Sequence, residues 1–357
     1  MNLKEVVEMK HFSLSFRKGN LIILDQEKLP QKVCYREIKN INQAFLALKR
    51  LKVRGAPLIG VFAGYSLFIS IKSLKAKSPQ AFLKILDKNI EYLKNSRPTA
   101  VNLSWALERI RKKVLMNLDK DVDSLKEIVR KEAQAIHQED IQLCERIAQV
   151  GVKLIKPNDS ILTHCNAGFL ATSGEGTALS IIYKAYKKYP NIKVYADETR
   201  PLLQGARLTC WELSCRGIEV ILICDNMAGS LMAKGKITKV IVGADRITKK
   251  GFIANKIGTY NLAVLAKYHK IPFYVAGPVS SFDLSLNRGE DIPIEERNPQ
   301  EVKTFGGKSV APKKVKAYNP AFDVTPPELI TAVITDKGII TQPLEKNIEK
   351  LFRDVKI

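Results

Sequence analysis

The chain is organised around Ser160–Thr177, which has the sequence Ser-Ile-Leu-Thr-His-Cys-Asn-Ala-Gly-Phe-Leu-Ala-Thr-Ser-Gly-Glu-Gly-Thr. A short apolar run ends at His164 and Cys165, a glycine-containing loop follows, and an apolar-periodic segment begins at Thr177, a residue type that often caps a helix. This order predicts a strand, a loop and a helix. In a parallel α/β sheet ligands bind at the carboxyl ends of the strands, so Cys165 is predicted to lie at the floor of a site.

The composition is that of a globular protein with room for a large core and two domains. The chain has 357 residues, of which 45% are hydrophobic and 26% are charged. Its first residues include acids where a signal peptide has its apolar core, and no apolar run is long enough to cross a bilayer. The sequence therefore predicts a cytoplasmic protein with no membrane partner.

The chain is strongly basic. Lys and Arg number 58 against 36 Asp and Glu, which gives a net charge of +22. Such a surplus suits a nucleic acid, a membrane surface or an anionic small substrate. The lysines are spread over the chain without one dense run or interleaved aromatic residues, so nucleic acid is not the expected partner.

The cysteines and histidines do not have the spacing of a metal site. Six cysteines and four histidines form no C-x-x-C pair or other clustered set, so no metal ligand is predicted. Cysteine is commonly a small buried apolar residue, and we expect this of Cys144, Cys210, Cys215 and Cys224. Cys165 differs from these four because a polar loop follows it at once.

Residues 1–130 are predicted to form a small, mostly helical domain in which two helix starts are each preceded by an arginine. Arg54 stands before Gly55 and Ala56, and Arg97 stands before a similar proline-containing helix start. A cation there is unfavourable beside the partial positive charge of the helix amino terminus, unless an anion such as phosphate is shared between them. An ordinary surface arginine, or one paired with an acid, remains the alternative for either position.

The remaining chain is predicted to contain a linking helix and a second domain. Helical spacing continues from Asp123 to Ile155 with a break near Gly151, and residues 131–156 are assigned to the link. Residues 157–357 alternate short apolar strands with helices, which predicts a parallel sheet covered on both faces. The predicted fold class is therefore α/β, with a helical amino-terminal domain and a Rossmann-like carboxyl-terminal domain.

Reactive side chains follow the predicted strands of the second domain. Cys165, Asp197, Asp225 and Asp245 each come after one strand, which places a thiol and several carboxylates along one edge of the sheet. Near the carboxyl end, a capping-box pattern predicts a helix over Glu328–Val333. The predicted strands are Ile161–His164, Lys193–Ala196, Glu219–Ile223, Lys239–Val242 and Phe273–Ala276.

Six motifs in this order form a specific pattern. They are Arg54-Gly55-Ala56-Pro57, Arg97-Pro98-Thr99-Ala100-Val101-Asn102, His164-Cys165-Asn166-Ala167-Gly168, Asp197 through Thr209, Val242 through Ile247, and Ala254 through Tyr260. Together they closely resemble the methylthioribose-1-phosphate isomerases, a family of methionine-salvage enzymes, over most of the chain. The resemblance implies a homodimer that converts 5-methylthioribose 1-phosphate to 5-methylthioribulose 1-phosphate without a redox cofactor.

The resemblance also implies roles for individual residues. Cys165 and Asp245 match the catalytic pair, one of which would protonate the ring oxygen while both assist hydrogen transfer from carbon 2 to carbon 1. A proton route and a direct hydride shift both remain open. Residues matched to substrate binding are Arg54, Arg97 and Lys256 for the phosphate, with Gly55 and Ala56 beside it, and Gln204 and Asn255 for the sugar hydroxyls.

Alternatives from the same and from another functional class remain. A ribose-1,5-bisphosphate isomerase would need an added basic cluster for its second phosphate, and a 5-deoxyribose-1-phosphate isomerase would need a similar site. The third alternative is a binding subunit like the regulatory subunits of the initiation-factor exchange complex. Those subunits are not expected to keep both Cys165 and Asp245, so the presence of the pair favours an enzyme.

Overall fold

The computed structural model describes residues 11–98 and 100–354, which form two compact units. The first unit consists of the described part of Met1–Gln142 together with Phe169–Gly176, and the second consists of Leu143–Gly168 and the chain from Thr177 onwards. The expectation for the first ten residues and for Thr99 of the second arginine motif lies outside the described residues. Within the described ranges, no helix is both long and apolar enough to span a membrane. The predicted division at residues 130 and 157 stays a prediction.

The first unit contains a small antiparallel sheet and a group of helices. The helix Ala56–Ile71 is apolar on nearly all sides and is buried along most of its length, so the other helices pack around it. Asn40 and Ser78 cap the helices Ile41–Lys49 and Pro79–Lys94 by accepting backbone N–H groups of the first turn. The strands are β1 (Leu14–Arg17), β2 (Asn20–Leu24) and β3 (Tyr35–Ile38), and the helices are α1 (Ile41–Lys49), α2 (Ala56–Ile71), α3 (Pro79–Lys94), α4 (Val101–Leu115) and α5 (Val122–Gly151).

The predicted long helix is confirmed, with its break where the glycine stands. Helix α5 ends at Gly151 and a single 3-10 turn, Val152–Leu154, follows. Its residues up to Gln142 belong to the first unit, and those from Leu143 belong to the second.

The second unit is built on a seven-stranded sheet, as the strand and helix alternation predicts. Its strands are β4 (Ser160–Thr163), β5 (Lys193–Asp197), β6 (Val220–Ile223), β7 (Lys239–Gly243), β10 (Phe273–Ala276), β15 (Ala332–Thr335) and β16 (Gly338–Thr341). The other strands are β8 (Arg246–Thr248), β9 (Ile253–Lys256), β11 (Phe282–Asp283), β12 (Thr304–Phe305), β13 (Lys308–Ser309) and β14 (Phe322–Thr325). The helices are α6 (Ala178–Lys188), α7 (Cys210–Cys215), α8 (Ala228–Ala233), α9 (Thr259–Tyr268), α10 (Gln300–Lys303) and α11 (Leu344–Asp354), and a π-helical turn covers Gly205–Thr209.

The strand order of the large sheet is β16-β15-β10-β7-β4-β5-β6, and every neighbouring pair is parallel except β15 with β16. From β4 the chain builds outward through β5 and β6, and then returns to the other side of β4 to form β7. The β4–β7 junction is therefore the topological switch point, where a crevice opens outside the carboxyl ends of the strands. The predicted α/β class with a parallel, Rossmann-like sheet is confirmed.

Alternate residues of the central strands supply two separate cores on the two faces of this sheet. Leu162 and Val240 belong to one buried cluster, while Ile161 and Ile241 belong to the other. The period of two is that of strands covered by helices on both sides. Burial on both faces fixes the register of β4 against β7, and so it fixes the place where each strand ends.

The predicted helix Glu328–Val333 is wrong. A single 3-10 turn, Pro327–Leu329, leads instead into strand β15, whose four residues are all buried. Val333, Ile334 and Thr335 are β-branched and fit a two-sided sheet better than a helix. Pairing with β10 therefore outweighs the local capping pattern.

The segment Phe169–Gly176, which follows the His-Cys-Asn-Ala-Gly motif, is held by side chains of the first unit. Ser13 Oγ donates to Thr172 O at 2.7 Å, and Gln26 Nε2 donates to Leu170 O at 2.7 Å. Asp140 Oδ2 accepts the Ser173 N–H at 2.5 Å. Burial raises the pKa of the Asp140 carboxyl to about 6, although the hydrogen bond from Ser173 opposes the shift.

Gly55 is expected to be essential for the packing of this segment. Alanine at Gly55 (φ 91°) or at Gly19 (φ 78°) would adopt a left-handed backbone that costs about 1–2 kcal/mol. At Gly55 the new Cβ would also lie 2.4 Å from Ala171 Cα, whereas nothing lies within 4 Å at Gly19. Gly55→Ala should therefore lower the free energy of unfolding by about 1–3 kcal/mol more than Gly19→Ala, measured by denaturant unfolding. Equal losses in the two variants would contradict this.

The ionisation of Asp140 is expected to make stability depend on pH. The folded protein binds this proton more tightly than the unfolded chain, so the contribution of Asp140 to stability falls as pH rises from about 4 to about 6. Asp140→Asn cannot ionise, so its stability relative to wild type should be higher at pH 7 than at pH 4.5, by on the order of 2 kcal/mol. Asp121→Asn is the control, because the lowered pKa of Asp121 keeps it ionised across this range. Urea titrations at both pH values test the sign.

Candidate active site

Cys165 and Asp245 follow the two strands that meet at the switch point. Leu162 of β4 lies opposite Val240 of β7, so the chain leaves these neighbouring strands at the same edge of the sheet. A Cβ on Gly243, at the end of β7, would lie 2.9 Å from the Cβ of Ala167, which shows how closely the loop after Cys165 approaches β7. Both side chains are partly buried, as expected for groups lining a crevice.

The backbone of Cys165 is strained and is held on both sides. Its φ of 59° lies in the left-handed region, which costs a non-glycine residue on the order of 1–3 kcal/mol. Its N–H donates to Thr199 Oγ1 at 2.8 Å, and its carbonyl accepts from Thr209 Oγ1 at 2.5 Å. Both partners belong to the motif that extends from Asp197 through Thr209.

Gln204 contacts the thiol directly. The Sγ of Cys165 donates to Gln204 Oε1 at 3.3 Å, and the Gln204 side chain is buried. This hydrogen bond favours the protonated thiol. Rotation of the amide would present its N–H groups instead, so the same side chain can also serve a thiolate.

Asp245, Asn255 and Lys256 are brought together by a small second sheet. The Asp245 N–H donates to Ala254 O at 3.0 Å, where strand β8 begins to pair with β9. Asn255 and Lys256 are the last two residues of β9, and both are buried. Asn255 Nδ2 donates to Thr259 Oγ1 at 3.0 Å, and Lys256 Nζ lies 4.6 Å from the centre of the Phe322 ring.

A buried histidine and aspartate join three of the site elements. His164 Nδ1 lies 3.0 Å from Asp197 Oδ2, and His164 Nε2 lies 2.9 Å from the carbonyl oxygen of Ile257. Burial alone would lower the pKa of His164, but the hydrogen bond and charge of Asp197 and the Ile257 carbonyl outweigh it, so the pKa is raised. The His164 ring also fits against Gly258, where a Cβ would lie 2.9 Å from Cε1.

Asp225 completes this cluster through the backbone of the Asp197–Thr209 run. Its two oxygens accept the N–H groups of Thr199 at 2.8 Å and Arg200 at 2.7 Å. One ligand atom each of His164, Asp197 and Asp225 lies within 4.8 Å of the other two. Because both imidazole nitrogens and both Asp225 oxygens already make hydrogen bonds, a cation would have to break several of these contacts. We interpret the cluster as an ion pair with a hydrogen-bonded support.

A buried acid, Glu212, and a partly buried acid, Asp323, support the loops and were missed from the sequence. Glu212 accepts from Asn166 Nδ2 at 2.7 Å and from the Tyr183 hydroxyl at 2.7 Å. Asp323 accepts the N–H groups of Gly258 at 2.7 Å and Tyr260 at 3.0 Å, at the start of α9. An acid within the apolar segment around Glu212 was the available signal, because a buried carboxylate needs partners.

The residues predicted to bind phosphate in the first unit stand at two helix starts. Gly55 is the residue before α2, Ala56 begins it, and Arg54 is 5% exposed. Arg97 is partly buried and precedes α4. A Cβ on Gly60, one turn into α2, would lie 3.0 Å from the carbonyl oxygen of Asn102 in the first turn of α4. The amino ends of the two helices therefore lie close together within this unit, which concentrates positive charge there.

The expectation that four cysteines are buried holds only in part. Cys144 is buried and Cys210 is partly buried, but Cys215 and Cys224 are exposed. Cys215 is the last residue of α7, and Cys224 follows the edge strand β6, so neither position is covered by a neighbouring strand. Residue type alone does not carry this information about sheet position.

The arrangement of the second unit suits proton transfer on a small polar substrate. It offers a thiol after β4, a carboxylate after β7, a buried amide after β5 and a buried ammonium group at the end of β9. Such convergent groups at a switch point are the usual basis for an active-site assignment in an α/β fold.

Comparison with known proteins gives extensive matches. A 5-deoxyribose 1-phosphate isomerase from Moorella thermoacetica is 51% identical over 339 residues, covering 95% of this chain and 97% of the relative. A methylthioribose-1-phosphate isomerase from Carboxydothermus hydrogenoformans is 50% identical over 341 residues, covering 95% of this chain and 98% of the relative.

Comparison with solved structures also gives an extensive match. The crystal structure of 5-methylthioribose 1-phosphate isomerase from Pyrococcus horikoshii has a TM-score of 0.91 and 43% sequence identity, covering 99% of each chain. The sequence model of the initiation factor 2 subunit family matches residues 52–342. With the relatives at about half identity over nearly the whole chain, this match shows that the chain belongs to the initiation factor 2 subunit family.

Proposed function

We propose that the protein is an aldose–ketose isomerase that converts 5-methylthioribose 1-phosphate to 5-methylthioribulose 1-phosphate. The observation that carries this proposal is that Cys165 and Asp245 follow the two strands at the switch point of the sheet. A methylthioribose-1-phosphate isomerase at 50% identity and a solved one with a TM-score of 0.91 support the choice of substrate. The reaction belongs to methionine salvage.

The chemistry begins with opening of the sugar ring. The anomeric oxygen carries the phosphate, so the ring cannot open to a free aldehyde. The bond between carbon 1 and the ring oxygen breaks while carbon 1 keeps its phosphate. We assign Cys165 and Asp245 as the catalytic pair, of which one protonates the ring oxygen and both assist the next step. Hydrogen then moves from carbon 2 to carbon 1, and the carbon 2 hydroxyl loses its proton to become the ketone. No redox cofactor is needed, because carbon 1 is reduced as carbon 2 is oxidised.

Substrate binding is assigned to the residues that match the binding motifs of the isomerases. Lys256, Arg54 and Arg97 are proposed to bind the phosphate, with the backbone of Gly55 and Ala56 beside it. Lys256 is buried at the end of β9, next to Asn255, and its ammonium group can donate to phosphate oxygens, which supports this role. Residues proposed to bind the sugar hydroxyls are Gln204 and Asn255, both buried.

A 5-deoxyribose 1-phosphate isomerase is the second candidate function. A relative with that name is 51% identical over 95% of this chain, about as similar as the methylthioribose enzyme. The two sugars share the phosphate at carbon 1 and differ only in the group on carbon 5, so the proposed catalytic pair serves both. The ratio of kcat/KM for the two sugar phosphates decides between them.

The oligomeric state and the cellular location are also proposals. We propose a homodimer, and the edge strand β6 supports it because Ile221 and Leu222 are 39% and 51% exposed there. An exposed apolar edge is a ready site for pairing with another chain. We also propose a cytoplasmic location, where the thiol of Cys165 stays reduced.

The first test is turnover. Wild-type protein is incubated with 5-methylthioribose 1-phosphate, 5-deoxyribose 1-phosphate or ribose 1,5-bisphosphate, and the ketose is followed by phosphorus and proton NMR. Cys165→Ser and Asp245→Asn should each lower kcat by about a hundredfold or more, because each removes a proton-transfer group.

Matched controls keep this test specific. Cys215→Ser and Asp121→Asn change an exposed cysteine and an exposed aspartate and should keep wild-type activity. Turnover of ribose 1,5-bisphosphate alone would contradict the proposed substrate. No turnover of any of the three sugars would favour the binding-subunit alternative.

A further inference from the structure

The peptide groups around Cys165 are bracketed by two buried threonine hydroxyls. Thr199 Oγ1 accepts the Cys165 N–H at 2.8 Å, and Thr209 Oγ1 donates to the Cys165 carbonyl at 2.5 Å. Both threonines have no exposed surface. A hydroxyl has one proton to donate, so the further contacts of each threonine determine whether these directions are consistent.

The hydrogen-bond directions are consistent at both Thr199 and Thr209. Thr199 gives its proton to the carbonyl of Asp197 at 3.2 Å, which leaves a lone pair for the Cys165 N–H. Thr209 gives its proton to Cys165 and accepts from Asn166 Nδ2 at 3.2 Å. Each hydroxyl therefore has one donor and one acceptor partner, and neither can rotate without leaving a buried backbone group unpaired.

These hydrogen bonds hold a residue whose backbone is strained. Cys165 has φ 59°, and Thr199, its partner, has φ 62° although it is β-branched. Strained residues of this kind persist only where surrounding contacts hold them, and they concentrate at functional sites. In a relaxed conformation the Cys165 side chain would leave the backbone in another direction and lose its contact with Gln204.

The threonines are themselves fixed to the sheet. The Thr199 N–H donates to Asp225 Oδ1 at 2.8 Å. A Cβ on Gly205 would lie 1.7 Å from the carbonyl oxygen of Asp197, so the π-helical turn that carries Thr209 packs directly against the end of β5. The two hydroxyls thus fix the position of Cys165, two residues after β4, relative to the end of β5.

We propose that Thr199 and Thr209 are positioning residues that hold Cys165 in the strained conformation required for isomerisation. The proposal rests on the proposed function and adds to it two residues that touch the backbone of Cys165. It predicts that the hydroxyl groups matter and that the threonine methyl groups do not.

The test uses substitutions that separate the hydroxyl from the side-chain shape. Thr199→Val keeps the shape and β-branching but removes the acceptor, whereas Thr199→Ser keeps the hydroxyl. The matched control is Thr335→Val, because Thr335 is equally buried, accepts the Lys337 N–H at 3.1 Å and donates to Gly338 O at 2.9 Å in strand β15. The readouts are kcat, KM and the alkylation rate of Cys165 by iodoacetamide across pH, followed by mass spectrometry of the Cys165 peptide.

Thr199→Val should lower kcat by about tenfold to a hundredfold with KM within about twofold, since the thiol is misplaced and the binding groups are unchanged. It should also change the alkylation rate of Cys165, while Thr199→Ser and Thr335→Val stay close to wild type. The Thr209→Val and Thr209→Ser pair repeats the comparison independently, and it decides the matter if Thr199→Val does not fold.

Two results would overturn the proposal. One is a folded Thr199→Val whose kcat and alkylation rate match those of Thr335→Val. The other is a serine variant as impaired as the valine variant. If wild-type protein does not isomerise the sugar phosphate, the proposed function fails, and the alkylation rates still decide whether the threonines position Cys165.

Discussion

The return of the chain from β6 to the far side of β4 is the constraint on which the site depends. It makes β4 and β7 neighbours, although 75 residues separate the ends of these strands in the sequence, Thr163 and Lys239. Burial of both sheet faces fixes their register, so Cys165 and Asp245 leave the sheet at one edge. The catalytic proposal follows from this placement, and the similarity to known isomerases adds the substrate.

Around this junction the fold holds reactive groups with buried polar contacts. The His164–Asp197 pair joins the ends of β4 and β5 to the loop after β9, and the Thr199 and Thr209 hydroxyls fix the backbone of Cys165. The supporting side chains His164, Asp197, Thr199 and Thr209 are buried, so removing the partner of one of them leaves a polar group unsatisfied at a cost of about 1–3 kcal/mol. Rigid support of this kind keeps a strained residue in place while the substrate changes shape.

The sequence predicts the sheet and the strand-end residues well because both depend on local patterns. Apolar runs of four or five residues predict β4, β5, β6, β7 and β10, and the side chain that follows each run can then be read from the sequence. It fails where tertiary pairing decides, as at β15, whose β-branched residues override a local helix signal. It also misses Glu212, Thr199 and Thr209, because a supporting role depends on which backbone group lies opposite, and spacing along the chain does not contain that information.

Protection of Cys165 by substrate is the decisive measurement for a site at the β4–β7 junction. The rates of alkylation of Cys165, Cys215 and Cys224 are measured by mass spectrometry with and without saturating 5-methylthioribose 1-phosphate. If Cys165 lines the site at the switch point, the sugar phosphate slows its alkylation and leaves the two exposed cysteines unchanged. Alkylation of Cys165 at the same rate with and without the sugar phosphate would contradict the account.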